Sequence, residues 1–138
     1  MNFILFIFYF LSVGPSNDTH TLTINITNIE TVKGTLEIGL FNSGERFLEE
    51  GQALKTISVK VKSGSETVII EDLPKGTYAI SMYHDENADG ECNRNFLGIP
   101  TEPYGFSNNF RPRFAAPTFK DCQFYLESNK TLKIKLKG

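Results

Sequence analysis

The chain has 138 residues, a length that fits one domain. Fourteen Lys and Arg residues against 16 Asp and Glu residues give a formal net charge of −2, so a basic surface for nucleic acid is not expected. A hydrophobic fraction of 40% and a charged fraction of 22% exclude a disordered chain or a coiled coil. Two cysteines are too few for a disulfide-dense scaffold or a cysteine-rich zinc site.

The N-terminus is predicted to be a signal peptide over residues 1–16, followed by a single β-sandwich domain over residues 17–138. Residues 1–11 carry no charged side chain, and residues 3–11 form an uninterrupted apolar run. A membrane-spanning helix needs about 20 apolar residues, so this run is too short to anchor the mature chain. It fits the apolar region of a secretory signal, with small residues after it. We therefore expect a secreted or periplasmic protein; the alternative is a buried N-terminal strand.

Most of the remaining chain consists of short runs in which apolar and polar residues alternate. A period of two places the apolar side chains on one face of a β-strand. The runs cover residues 22–26, 36–40, 57–61, 67–72, 78–82, 124–126 and 132–136. The pattern predicts an all-β, two-sheet sandwich of Ig-like or transthyretin-like type with about seven strands. Only residues 44–52 are compatible with a short helix.

Residues 85–120 show no alternation and are rich in phenylalanine. Five Phe residues lie there: Phe96, Phe106, Phe110, Phe114 and Phe119. Aromatic side chains at this density have to pack against the sandwich or against a ligand. We expect this segment to form a recognition surface or a flap over one sheet.

This segment begins with oxygen-bearing side chains at every second residue, followed by a glycine suited to a sharp turn. The spacing D-x-N-x-D-G resembles a calcium-binding loop, in which six to eight oxygens converge on the ion. The expected calcium ligands are Asp85, Asn87, Asp89, Glu91 through its backbone carbonyl, and Asn93.

Two features depart from that calcium pattern. Phe96 stands where the loop would have a bidentate Glu, and no flanking helices are predicted. Glu102, further along the segment, is a candidate for the missing carboxylate. The alternative interpretation is a metal-free turn that closes on itself through side-chain to backbone hydrogen bonds.

Three further residues are candidates for a chemical role. Cys92 and Cys122 would close a ring of about 30 residues if they formed a disulfide, and otherwise they are unrelated. His84 precedes the acidic run and is a candidate general base or zinc ligand. The alternative is a histidine that orders the loop by hydrogen bonding.

Several blocks of the sequence resemble a known family. They are Leu73-Pro74-Lys75-Gly76-Thr77-Tyr78-Ala79, His84-Asp85-Glu86-Asn87 through Gly90, residues 97–107 (L-G-I-P-T-E-P-Y-G-F-S) and residues 116–121 (A-P-T-F-K-D). Together they resemble the exported bacterial proteins grouped as domain-of-unknown-function family 2141. The resemblance implies a secreted sandwich and no particular reaction. The family usually has Asp at the position of Asn93 and a small residue at that of Cys122.

These observations favour a secreted, non-enzymatic binding or structural module with a calcium-ordered loop and an unknown extracellular or envelope ligand. The mature chain is expected to have no transmembrane segment. One rival is a metal-dependent hydrolase that uses His84, Asp85 and Glu102 in an open cleft. The other is a small-ligand carrier with an apolar cavity of about 300 Å³ or more beneath the Phe-rich segment.

Overall fold

A computed structural model describes residues 18–92 and 101–138 of the protein. The expected signal peptide and Asn93 therefore lie outside the described residues. Within those ranges the chain forms eight strands, one 3-10 turn (Ser107–Asn109) and one short helix, α1 (Phe119–Cys122). The strands are β1 (Thr19–Thr27), β2 (Thr35–Phe41), β3 (Lys55–Lys60), β4 (Glu66–Pro74), β5 (Gly76–Asp85), β6 (Tyr104–Phe106), β7 (Phe124–Leu126) and β8 (Lys130–Lys135).

The strands form two sheets, which confirms the predicted all-β sandwich. The first sheet has the order β4-β1-β8, with β1 antiparallel to β4 and parallel to β8. The second has the order β3-β2-β5-β6, and β7 pairs with the beginning of β5. Lys75 lies between the predicted runs 67–72 and 78–82, and there the chain leaves β4 in the first sheet and enters β5 in the second.

The main core lies between the sheets and consists of the apolar side chains that the alternation predicted. Residues directly opposite each other in an antiparallel pair point to the same face, and Ile38 of β2 stands opposite Met82 of β5. Both side chains are almost completely buried. The other members include Leu22, Ile24, Ile26, Leu36, Leu40, Ile80, Leu126 and Ile134.

A second apolar cluster covers the opposite, outer face of the second sheet. Its buried members are Ala79, Tyr104, Phe106 and Cys122, with Phe47, Leu48, Tyr83, Phe110 and Phe119 half-buried against them. The ring of Phe47 packs edge-on against Phe41 at 5.1 Å and against Phe119 at 5.8 Å between centroids. Part of the Phe-rich segment therefore lies over one sheet. Phe114, by contrast, is 84% exposed, and Phe96 lies outside the described residues.

Three local elements differ from the expectation. Residues 44–52 are successive turns rather than a helix, and Leu48 has a positive φ of 69°, which no α-helix accommodates. The segment expected to lack strands contains β6. It also contains the start of α1, where Thr118 and Asp121 form a reciprocal capping box. Among the described residues, no helix has the length and apolar character that crossing a membrane requires.

Candidate metal centre

Asp85 is held at the end of β5, where the second sheet gives way to the loop. Its backbone is paired with Thr35 of β2, and its side chain is buried. Gly34, next to Thr35, has φ of 68°, and a Cβ at this position would lie 2.1 Å from the carbonyl oxygen of Asp85. Only glycine allows this close backbone approach. The position of Asp85 is thus fixed by both the sheet and the adjoining turn.

The loop after Asp85 folds around that carboxylate. The backbone N–H groups of Asp89 and Gly90 donate to its two oxygens at 3.2 and 2.9 Å. Gly90 has φ of 74°, as expected for the sharp turn. The Asn87 side-chain oxygen accepts from the Asp89 N–H at 3.3 Å, and the Asp89 carboxylate accepts from the Glu91 N–H at 2.9 Å. A carboxylate oxygen has two lone pairs, so these bonds leave acceptor capacity for a cation.

Three carboxylates converge beside this loop. One oxygen each from Asp85, Asp89 and Glu102 lies within 4.8 Å of the other two. Oxygens that bind one calcium ion at about 2.4 Å can be at most about 4.8 Å apart, so the spacing is compatible with a shared ion. This acidic triad could hold a metal ion, and its three like charges would repel one another without one.

Glu102 reaches the triad because of a backbone hydrogen bond between distant parts of the chain. The N–H of His84 donates to the carbonyl of Pro103 at 2.7 Å. This bond places the residues before β6 alongside the end of β5, where Asp85 lies. Glu102, the candidate for the missing carboxylate, lies beside Asp85 and Asp89, and its role as a metal ligand stays a prediction.

The other predicted ligands have different outcomes. The Asn87 side-chain nitrogen donates to Asp89 at 3.3 Å, so its amide lies at the edge of the triad. The carboxylate of Glu91 is not a member of the triad; Glu91 is exposed and lines a neighbouring groove. Its backbone carbonyl stays a predicted ligand, as does Asn93.

His84 is buried within the sandwich and does not join the carboxylates. It stands opposite Leu36 of β2 and therefore points to the core face of the sheet. Its Nε2–H donates to the carbonyl of Lys33 at 2.7 Å, and its Nδ1 lies 3.6 Å from the Glu86 carboxylate. This geometry is that of a buried, hydrogen-bonded histidine whose bonded partner, Lys33, lies in the turn before β2. The open cleft with an accessible His84, which the hydrolase hypothesis requires, is not present in the described part of the chain.

The two cysteines are not joined by a disulfide in the structure. Cys122 is fully buried in the outer cluster, and this burial, with the nearby Asp121 charge, raises the pKa of its thiol to about 12. Cys92 lies beside Tyr83 at the end of the loop. The pairing of Cys92 with Cys122 stays a prediction.

Tyr83, which was missed by sequence reasoning, lies in β5 of the second sheet, two residues before Asp85. Burial raises its pKa to about 12, and the negative charges of Glu37, Cys92, Asp85 and Glu102 contribute in that order. Tyr83 stands directly opposite Glu37 in the β2–β5 pair. The only signal in the sequence was their common position on the polar side of two alternating strands.

The comparisons with known proteins identify the family and leave the chemistry open. A search of curated proteins and a search of solved structures gave no match. A family model described as "Uncharacterized protein conserved in bacteria (DUF2141)" matches residues 24–135. This range runs from β1 through β8 and includes Asp85, Asp89 and Glu102. The chain therefore belongs to this family of uncharacterized bacterial proteins.

Proposed function

We propose that this protein is an exported, non-enzymatic binding or structural module in which a calcium ion orders the loop after β5. The observation that carries the proposal is the convergence of Asp85, Asp89 and Glu102 within 4.8 Å. Asp85 lies at the end of β5, Asp89 lies in a tight turn, and Glu102 lies 17 residues after Asp85 in the sequence. A cation bound there would fasten the loop to the beginning of β6. The N-terminal apolar run, with its signal-like length, supports export.

Calcium fits the donor set better than zinc does. Zinc prefers nitrogen and sulfur ligands, whereas calcium binds carboxylate and carbonyl oxygens. His84 and Cys92 flank the loop in sequence, yet neither belongs to the convergent group. Asn87, the Glu91 carbonyl and Asn93 are the proposed additional oxygen ligands, which would bring the coordination number toward six.

Calcium titration by calorimetry, together with thermal unfolding, tests the proposal. At about 1 mM free calcium, a site with a Kd of about 10 µM would raise the free energy of unfolding by about 2.7 kcal/mol. We expect Asp89→Asn and Glu102→Gln to abolish the heat of binding and the rise in Tm. Both substitutions keep side-chain size, and Asn can still accept the hydrogen bond from Glu91 N–H.

Glu127→Gln is the matched control, because Glu127 is exposed and lies between β7 and β8, apart from the triad. Its calcium response should equal that of the wild type. Absence of both heat and a Tm shift in the wild-type protein would contradict the proposal and leave the self-bonded turn as the correct interpretation. A response to zinc but not to calcium would contradict it as well.

A further inference from the structure

A groove of about 760 Å³ lies on the outer face of the second sheet, beside the aromatic cluster. Small residues form its floor, including Gly39 of β2, Thr56 of β3 and Ser81 of β5. Gly39 stands opposite both Thr56 and Ser81, so three adjacent strands each place a small residue in one row across the sheet. The volume is within the range of small-molecule binding sites in proteins.

Aromatic side chains form the walls of the groove. Phe41, Tyr83 and Phe106 line it, and Phe106 stands opposite Ser81 on the neighbouring strand. Phe106 is almost completely buried and Phe41 is mostly buried, so the half-buried Tyr83 offers most of the accessible aromatic surface of the groove. Flat aromatic faces offer apolar contact and also attract cations through their electron-rich surface.

The charged residues that line the groove in the described part of the chain are all acidic. Among the lining residues that the structure describes, four carry carboxylates and none carries a positive charge: Glu37, Glu49, Glu50 and Glu91. An apolar ligand would be a poor match for four carboxylates, and an anion would be repelled. The groove therefore differs from the apolar cavity expected of a carrier.

Glu37 is the carboxylate that the fold holds in a fixed position. Its Oε1 accepts hydrogen bonds from the Thr35 hydroxyl at 2.8 Å and from the Ser58 hydroxyl at 2.6 Å. A carboxylate immobilised in this way loses little conformational entropy when it binds a ligand. The remaining acceptor capacity of Glu37 is available to a charged donor.

We propose that this groove binds a small organic cation, an ammonium or guanidinium group on a short apolar stem. Glu37 would bind the charged group, the aromatic walls would pack against the stem, and the glutamates at the rim would attract the ligand. The proposal gives the ligand class for the binding module proposed above and therefore rests on that binding role. It does not depend on calcium, although the loop residues Gly90 and Glu91 form one wall of the groove.

Titration of the protein with 1,5-diaminopentane, followed by NMR and calorimetry, tests this inference. The neutral 1,5-pentanediol has the same length and is the matched ligand control. We expect saturable binding of the diamine and none of the diol. No binding of the diamine, or equal binding of both compounds, would overturn the proposal.

Substitutions separate the groove from a general effect of charge. Glu37→Gln keeps the hydrogen bonds to Thr35 and Ser58 and should weaken diamine binding about three- to tenfold. Glu71→Gln removes the same charge from β4 on the other sheet, at an exposed position, and should leave the affinity unchanged. Equal weakening by both variants would mean that only net charge matters, which would overturn the assignment. The melting curve of Glu37→Gln verifies that this variant is folded.

The outcomes of this experiment and of the calcium experiment are distinguishable. Diamine binding that Asp89→Asn abolishes and Glu37→Gln leaves intact would place the amine in the acidic triad and overturn the groove proposal. Diamine binding that responds to Glu37→Gln in a protein without calcium binding would support the groove and contradict the calcium site. Calcium binding without diamine binding would support the calcium site and contradict the groove proposal.

Discussion

The two faces of β5 differ in how they are covered and in what they leave open. On the inner face, Ile80 and Met82 meet the first sheet and are almost completely buried in an apolar core. On the outer face, Ala79 is covered by side chains from distant segments, while Ser81 and Tyr83 line an open groove. The inner face is therefore built for stability. The outer face combines an aromatic cover, a groove and, at the end of the strand, the acidic triad.

The difference follows from what packs against each face. A sheet packed on a sheet buries a complete face, because both surfaces are flat and regular. Among the described residues, the outer face is covered by turns, by the 3-10 turn that follows β6 and by a helix of four residues. Such short elements cover part of a sheet and leave concave space between them. Binding sites in proteins commonly occupy such space.

Truncating one side chain on each face of the second sheet gives the largest expected effect and tests whether the two faces differ in stability. Ile80→Ala should lower the free energy of unfolding by about 2–5 kcal/mol, because it creates a cavity in the main core. Phe47→Ala should cost less, about 1–2 kcal/mol, because Phe47 is half-buried in the outer cluster. Urea unfolding measures both losses. Equal losses would show that the outer cluster is as important to stability as the core between the sheets.

The close contact between Gly34 and the backbone of Asp85 can be tested by one substitution. Gly34→Ala should lower stability by about 2–4 kcal/mol, because it adds a Cβ that collides with the Asp85 carbonyl at a position with φ of 68°. Gly51→Ala is the control: Gly51 has φ of 74° with no atom within 4 Å of the added Cβ, so only the backbone strain of about 1 kcal/mol remains. Urea unfolding of both variants gives the difference, and equal losses would contradict the proposed close contact.

The smallest expected effect is the change in stability with pH that comes from the ionisation of Tyr83 on the outer face. Its pKa of about 12, against an ordinary value of 10.0, predicts that its phenol ionises at a higher pH than an unperturbed tyrosine. The stabilisation from this shift is complete below pH 10 and is lost as the pH rises to about 12, because the unfolded state releases the proton first. Ultraviolet absorbance monitors the phenolate. Glu37→Gln should lower the pKa and Glu71→Gln should not; an unchanged pKa in Glu37→Gln would show that burial alone raises it.

Much of the fold could be predicted from the sequence because the period of two was visible in seven strands. The eighth, β6, was missed because all three of its residues are buried, so that no polar residue marks an outer face. Residues 44–52 were compatible with a helix by composition, but Leu48 adopts a left-handed conformation there. The α1 helix was signalled by Thr118 and Asp121 at capping-box spacing, although four residues are too few for a periodic pattern.

The acidic triad was only half visible in the sequence. Asp85 and Asp89 stand four residues apart around a turn that Gly90 completes, so local chemistry alone brings them together. Glu102 joins them because His84 N–H pairs with Pro103, a contact between segments whose meeting depends on the whole sheet. The groove was not visible, because opposing pairs such as Glu37 and Tyr83 depend on strand register.

Local patterns in the sequence predict seven of the eight described strands, their buried faces and the turn that carries two of the three carboxylates, since each depends on residues a few positions apart. Three features depend on long-range packing and are visible only in the tertiary structure. They are the order of the strands, the segment that supplies the third carboxylate and the part of the outer face that stays open. Strand order is set by packing over the whole sandwich, and a pattern of a few residues does not encode which strands become neighbours.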